Sequence, residues 1–123
     1  MKQISKSEFY VMEALWDENP LGAKEVNEIL STDKNWNIKT TKTLLSRLVE
    51  KGFLKTRKDG HRFLYSPVHT KEDYAARSMN HLSKRLFDGS PLPIVLHLAR
   101  TNALSKSDRD EITKYLEELK RDD

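Results

Sequence analysis

Apolar residues first fall into register just after Ser5: Phe9, Met12, Leu15 and Trp16 recur at helical spacing, and Ser5 with Glu8 supplies an S-x-x-E capping box. The pattern predicts a first helix beginning at Ser5 and ended by Asn19-Pro20. A second helix is expected from about Ala23 to Leu30, led in by Leu21-Gly22, with Val26, Ile29 and Leu30 inward and Ser31 to Asn35 as a polar break. The third carries the sharpest contrast. Stepping about 100° per residue from Lys39 puts Thr41, Leu44, Leu45 and Leu48 on one side. Lys39, Lys42, Thr43, Ser46 and Glu50 fall opposite, with Thr40 and Arg47 on the flank of that polar stripe.

Gly52 suits the end of this helix, and two short runs follow, Phe53 to Arg57 and Arg62 to Tyr65, joined by Lys58-Asp59-Gly60-His61 with its Asp-Gly hairpin signal. Helix, helix, helix, hairpin is the order of a winged helix-turn-helix, closed by Pro67 and Val68. Beyond it, Thr70 caps a fourth helix with Glu72 and Asp73 in its first turn and Ala75, Met79, Leu82 and Leu86 along one side. Gly89-Ser90-Pro91-Leu92-Pro93 breaks the chain. A short apolar helix, Ile94 to Arg100 with Val95 and Leu96, comes next, then a last helix from about Ser107, capped near Ser105, with Ile112, Tyr115, Leu116 and Leu119 on one face. The expected architecture is mainly α with a small β-hairpin: a winged-helix DNA-binding domain over 1–68 and a helical dimerisation domain over 69–123. The last three stripes span too few residues to make a stable unit alone, so a second copy of the chain is expected to complete them. Packing back on the N-terminal domain is the alternative.

Charge changes the picture locally. Between Lys39 and Arg62 eight cations face two acids, a formal +6, whereas residues 1–38 carry −3 and the whole chain only +3. A contiguous positive face is what displacing counterions from a duplex requires. Lys39, Lys42, Arg47, Lys51, Arg57, Lys58 and Arg62 are the cations expected at that face, with His61 at the wing tip. The chain contains no cysteine, which excludes disulfides and thiolate metal sites and suits a reducing cytoplasm. The N-terminal MKQISKSEF has no apolar signal-peptide core. No cofactor and no metal are expected: His61, His69, His81 and His97 are not at paired metal-ligand spacing, and His69, Glu72 and Asp73 are explained by helix capping. Without a Gly-rich phosphate loop, a G-x-S-x-G elbow or a cysteine nucleophile, an enzyme is not expected. Trp16 and Trp36 are expected in the N-terminal core.

Two motifs then point to a family. S-x-x-E-x-x-V-M-x-x-x-W (Ser5, Glu8, Val11, Met12, Trp16) and W-x-x-K-T-x-x-T-L-x-x-R-L-x-x-K-G (Trp36, Lys39, Thr40, Thr43, Leu44, Arg47, Leu48, Lys51, Gly52) resemble the penicillinase-repressor (BlaI/MecI/CopY) family of bacterial transcriptional repressors. The likeness runs over essentially the whole chain, the wing and Leu104-Ser105 included.

The resemblance implies a homodimeric repressor on promoter dyads related to TACA and TGTA, blocking transcription of a resistance or homeostasis operon. It implies that Lys39, Thr40, Thr43 and Arg47 face bases and adjoining phosphates, and that the start of the second helix at Ala23 offers backbone N–H groups to phosphate. Arg47 is suited to a bidentate contact with guanine and the threonine methyls to thymine methyls; Lys42, Lys51, Arg57, Lys58 and Arg62 suit the backbone. Two departures concern release from DNA. Copper-responsive relatives hold metal in C-terminal cysteines, and there are none here. Relatives induced by β-lactams are cut at an Asn-Phe bond, where this chain has His97-Leu98. The competing class is a winged-helix interaction module for a protein partner or RNA, which predicts no palindrome preference.

Overall fold

The computed structural model describes residues 2–102 and 104–122; Met1, Ala103 and Asp123 lie outside the described residues. Two compact units emerge, Met1–Ser78 and Met79–Asp123. The boundary therefore falls later than the expected 68/69, inside a helix. The reason is Tyr74, whose ring sits 5.3 Å from Trp16, 5.9 Å from Phe53 and 6.2 Å from Phe9, tying the first turns beyond the hairpin to the first unit.

In that unit α1 (Lys6–Asp17) starts as predicted, with Ser5 accepting from the Glu8 N–H and Glu8 reaching back to the Ser5 N–H. At its far end the Asn19 amide donates to Leu15 O, so a side chain satisfies a carbonyl that the helix leaves open. Leu21–Gly22, expected only as a lead-in, forms a short strand β1, and α2 follows as Ala23–Lys34.

The polar break expected at Ser31 to Asn35 is displaced: α2 runs through Ser31 and Lys34. Ser31 and Thr32 turn their hydroxyls back to Glu28 O, which accommodates them within the helix. Asn35, at φ 56°, then ends it in the left-handed conformation asparagine tolerates.

The inward stripe of α2 also differs. Val26 and Leu30 are buried, but Ile29 is 43% exposed and lines an open cleft of about 880 Å³ with Trp16, Val68 and His69. Asn27, one turn before Leu30 and beside Val26, takes the inward position that the sequence reading gave to Ile29.

α3 spans Ile38–Glu50 and buries the four residues predicted, Thr41, Leu44, Leu45 and Leu48. The three leucines join Val11, Met12, Leu15, Leu21, Val26, Leu30 and Leu54 in one core, with Trp16 and Trp36 packed at its margin. After α3 the Gly52 N–H donates to Val49 O and the Phe53 N–H to Leu48 O, the paired bonds of a Schellman ending. Gly52 has φ +85°, which a side chain would strain.

β2 (Leu54–Asp59) and β3 (Arg62–Pro67) pair antiparallel, Leu54 opposite Pro67 and Asp59 opposite Arg62, and β1 adds to the far side of β3 in the order β1-β3-β2. The turn is thus Gly60-His61, one step later than the Asp-Gly reading implied. With Gly60 at φ +65°, the glycine takes the first central position.

α4 (Lys71–Phe87) starts in the first unit with Thr70 accepting from the Asp73 N–H. In the second unit α5 is Leu92–Thr101, beginning before the expected Ile94 because Pro93 fits a first helical turn. α6 is Lys106–Arg121, with a capping box between Ser105 and Asp108. None of the helices described is long and apolar enough to cross a membrane.

Candidate nucleic-acid interface

The orientation of α3 is fixed from both ends of its first turn. The Asn37 side chain accepts from the Thr40 N–H at 2.9 Å, closing one of the open donors of the helix start. Behind it, the Asn27 amide lies between α2 and α3. Turned so that its NH₂ group meets acceptors, it reaches Thr41 Oγ1 at 2.7 Å, Trp36 O at 3.1 Å and Asn37 O at 3.2 Å. The buried Thr41 hydroxyl needs a partner, and an amide that meets it while lying within reach of the Trp36 and Asn37 carbonyls ties α2 to the start of α3.

With Thr41, Leu45 and Leu48 all at 0% exposure, the opposite face has no choice but to look outward. Lys39, Thr40, Lys42, Thr43, Ser46, Arg47 and Glu50 are exposed there, and Ile38, Lys39, Lys42, Thr43, Ser46, Arg47 and Glu50 line a shallow hollow of about 540 Å³. No acid stands in the first turn of α3. Thr43 donates its hydroxyl to Lys39 O at 3.0 Å, a bond that spends its proton on the helix itself. A side chain of that kind recognises an apolar group or a donor better than an acceptor.

Arg57, Lys58 and His61 are exposed on the hairpin. Two other cations expected at the duplex are already engaged. Lys51 donates to Glu8 Oε1 at 2.8 Å and to Gln3 O at 3.0 Å, joining the end of α3 to the start of α1. Arg62 pairs with Glu25 Oε1 and lies 3.8 Å from Asp59 Oδ2. Ala23, half-buried, is the first residue of α2, whose N-cap Gly22 brings no side chain to the open amides.

The carboxylates in these pairs respond to their surroundings. Burial works to raise the pKa of Glu8, but hydrogen bonds from Lys51 and from Ser5 outweigh it and hold the group below its usual range. For Glu25 its own backbone N–H, then the Arg62 guanidinium, lower the pKa. Both acids are therefore firmly ionised at neutral pH.

Three residues escaped the sequence reading: Asn27, Asn37 and Glu25. Asn37 and Glu25 carried a local signal, a cap three residues before Thr40 and an acid three residues after Gly22. Asn27 did not, because its worth depends on where the next helix starts. Elsewhere, Ala75 is exposed in the first unit. In the second, Met79, Leu82, Leu86, Val95, Leu96, Ile112, Tyr115, Leu116 and Leu119 are exposed on their helices. His97 and Leu98 are exposed within helical α5, where Thr101 donates back to His97 O at 2.7 Å. Among the described residues no group of three or more His, Asp and Glu side chains is placed to hold a metal ion.

Against known proteins, the chain is 33% identical over 118 residues to the penicillinase repressor of Bacillus licheniformis, covering 96% of this chain and 92% of that one. It is 27% identical over 114 residues to the methicillin resistance regulatory protein MecI of Staphylococcus aureus strain N315, with 93% of each covered. Among solved structures, the DNA-binding domain of the repressor BlaI superposes with a TM-score of 0.54 at 39% identity, over 58% of this chain and 88% of that one. The Bacillus licheniformis BlaI monomeric form in complex with the blaP half-operator gives 0.52 at 38%, over 59% and 89%. The family profile described as penicillinase repressor matches residues 4–118, so the chain belongs to the penicillinase-repressor family of DNA-binding transcriptional repressors.

Proposed function

We propose that this repressor acts as a homodimer on a two-fold operator, with α3 of each copy in a major groove and the β2–β3 wing against phosphates. The reading rests chiefly on one observation: a hydroxyl-and-cation face on α3 whose back is fully buried, so that it is presented in a fixed orientation. In this arrangement Arg47 gives a bidentate contact to guanine, and Lys39, Thr40 and Thr43 meet bases and nearby phosphates. Thr43 faces the groove with its methyl, which supports contact with a thymine methyl. Lys42, Arg57, Lys58 and His61 position the protein on the backbone. Lys51 reaches phosphate only by sharing its ammonium with Glu8, and Arg62 only by leaving Glu25.

The exposed apolar residues of the α4 end, α5 and α6 form the dimer contact, and the two-fold axis sets half-site spacing. The protein works by binding, without catalysis, in the cytoplasm. His97-Leu98, aligned with the bond cut in β-lactam-induced relatives, differs from Asn-Phe and lies in helical α5, so cleavage there requires that helix to unwind locally.

Mobility-shift competition tests the reading. Dyad DNA built on TACA and TGTA is expected to compete far better than scrambled duplex or RNA, and a half-site to compete poorly with the full dyad. Equal competition by RNA or scrambled DNA would instead support an interaction module.

A further inference from the structure

The Arg62–Glu25 pair is the feature that a DNA-binding face does not explain. Arg62 stands at the first position of β3 beside the wing turn, where a free guanidinium would serve phosphate binding. Instead it turns to Glu25, in the first turn of α2. The fit is close. A Cβ placed on Gly22 would come 2.7 Å from Glu25 Oε2 and 3.5 Å from Arg62 Nη1, so carboxylate and guanidinium close directly over the N-cap glycine. Glu25 Oε2 is enclosed there without a fully formed hydrogen bond, while Oε1 holds the arginine. The same carboxylate stands by the α2 amides that the operator reading offers to phosphate.

We propose that Glu25 is a brake on DNA affinity, a carboxylate that occupies Arg62 in the free protein and must give it up to a phosphate when the duplex binds. The proposal rests on the interface described above, in which the wing and the start of α2 both approach the backbone. Two consequences follow from the charges alone. Binding through Arg62 requires the ion pair to open, and the released carboxylate then stands near a polyanion. Neither involves a base edge. The brake therefore weakens operator and non-specific duplex alike, and it sets how tightly the repressor holds DNA without setting which sequence it reads.

Two variants open the pair by different means. Glu25→Gln removes the charge and leaves the shape. Gly22→Ala leaves both charges and inserts a methyl where the carboxylate sits; the backbone there, φ −84° and ψ 169°, accepts alanine without strain. Affinity for dyad and scrambled duplex is measured by fluorescence anisotropy over a salt series on the full chain, with folding checked by circular dichroism. Both variants are expected to bind both duplexes about three- to tenfold more tightly across the salt series, because the pair no longer has to open.

Arg62→Gln is expected to change little alone and to cancel the gain in the Glu25→Gln background. If Glu25→Gln loosens α2, Gly22→Ala carries the test. Binding no tighter than wild type in both variants overturns the proposal, as does an Arg62→Gln loss of equal size in either background. Arg47→Ala and Lys58→Ala serve as controls. If they weaken binding while the opened variants do not strengthen it, only the brake falls; if they leave affinity untouched, the interface itself is misplaced and both readings fall.

Discussion

The two units of this chain spend their large apolar residues in opposite ways. In the first, Val11, Leu15, Val26, Leu45 and Leu48 have no exposed surface, and three helices and a sheet share one core. In the second, Met79 is 62% exposed and Tyr115 60%, α5 and α6 bury no residue, and Ser83 is the buried residue of α4. The hydrophobic patterns are equally regular in both. Regular amphipathicity therefore promises a helix with an apolar face, and says nothing of whether the same chain provides the surface that covers it. The first unit closes its own core, and the second leaves its apolar side chains exposed.

The sharpest way to break that contrast is to cut equivalent leucines. Leu48→Ala, in the closed core, is expected to cost about 2–5 kcal/mol in urea titration at any protein concentration. Leu116→Ala is expected to cost little in dilute solution and progressively more as concentration rises, because stability gained by association depends on mass action. A cost independent of concentration at Leu116 would mean that the second unit closes on its own chain. A charge goes further: Leu116→Glu is expected to convert dimer to monomer on sizing chromatography and to reduce affinity for the full dyad on the order of a hundredfold, with half-site binding little changed.

Within the first unit, Arg47→Ala is expected to lose about 1–3 kcal/mol on the dyad and to relax preference at its base, while Lys58→Ala weakens all duplexes alike and lowers the salt slope by about one. Identical behaviour of the two would erase the division between reading and positioning. The smallest effect belongs to pH. Because the folded pKa of Glu8 is depressed, its stabilising contribution is full above the ordinary value of 4.5 and is lost as pH falls through the lowered one. The urea midpoint is expected to fall in that acid range, and Glu8→Gln to flatten the fall while lowering the midpoint at pH 7.

Much of the first unit was legible because its signals are local. Ser5 with Glu8, the Thr41-Leu44-Leu45-Leu48 seam and Gly52 each act within a turn or two, and each stands where the spacing put it. Where two signals competed, the local rule lost. Ser31 and Thr32 looked like a break, but their hydroxyls found Glu28 O and the helix continued. Ile29 looked inward by composition, yet the side facing α3 is taken by Asn27, whose amide meets the buried Thr41 hydroxyl. Asp59-Gly60 looked like the turn, but pairing of Asp59 with Arg62 moved it one residue on. The positive face was likewise countable, eight cations against two acids, although counting could not reveal that Lys51 and Arg62 already have carboxylate partners.

The α3 face, the caps and the sign of the charged segment were thus determined by residues at most a few positions apart, since hydrogen bonds and side-chain registry within one element depend only on near neighbours. Which cations remain free, which asparagine braces α3 and which carboxylate stands over Gly22 were decided by tertiary structure. Glu8 and Lys51, like Glu25 and Arg62, meet only after folding, and an ion pair has no counterpart in spacing along the chain until the backbone brings its ends together.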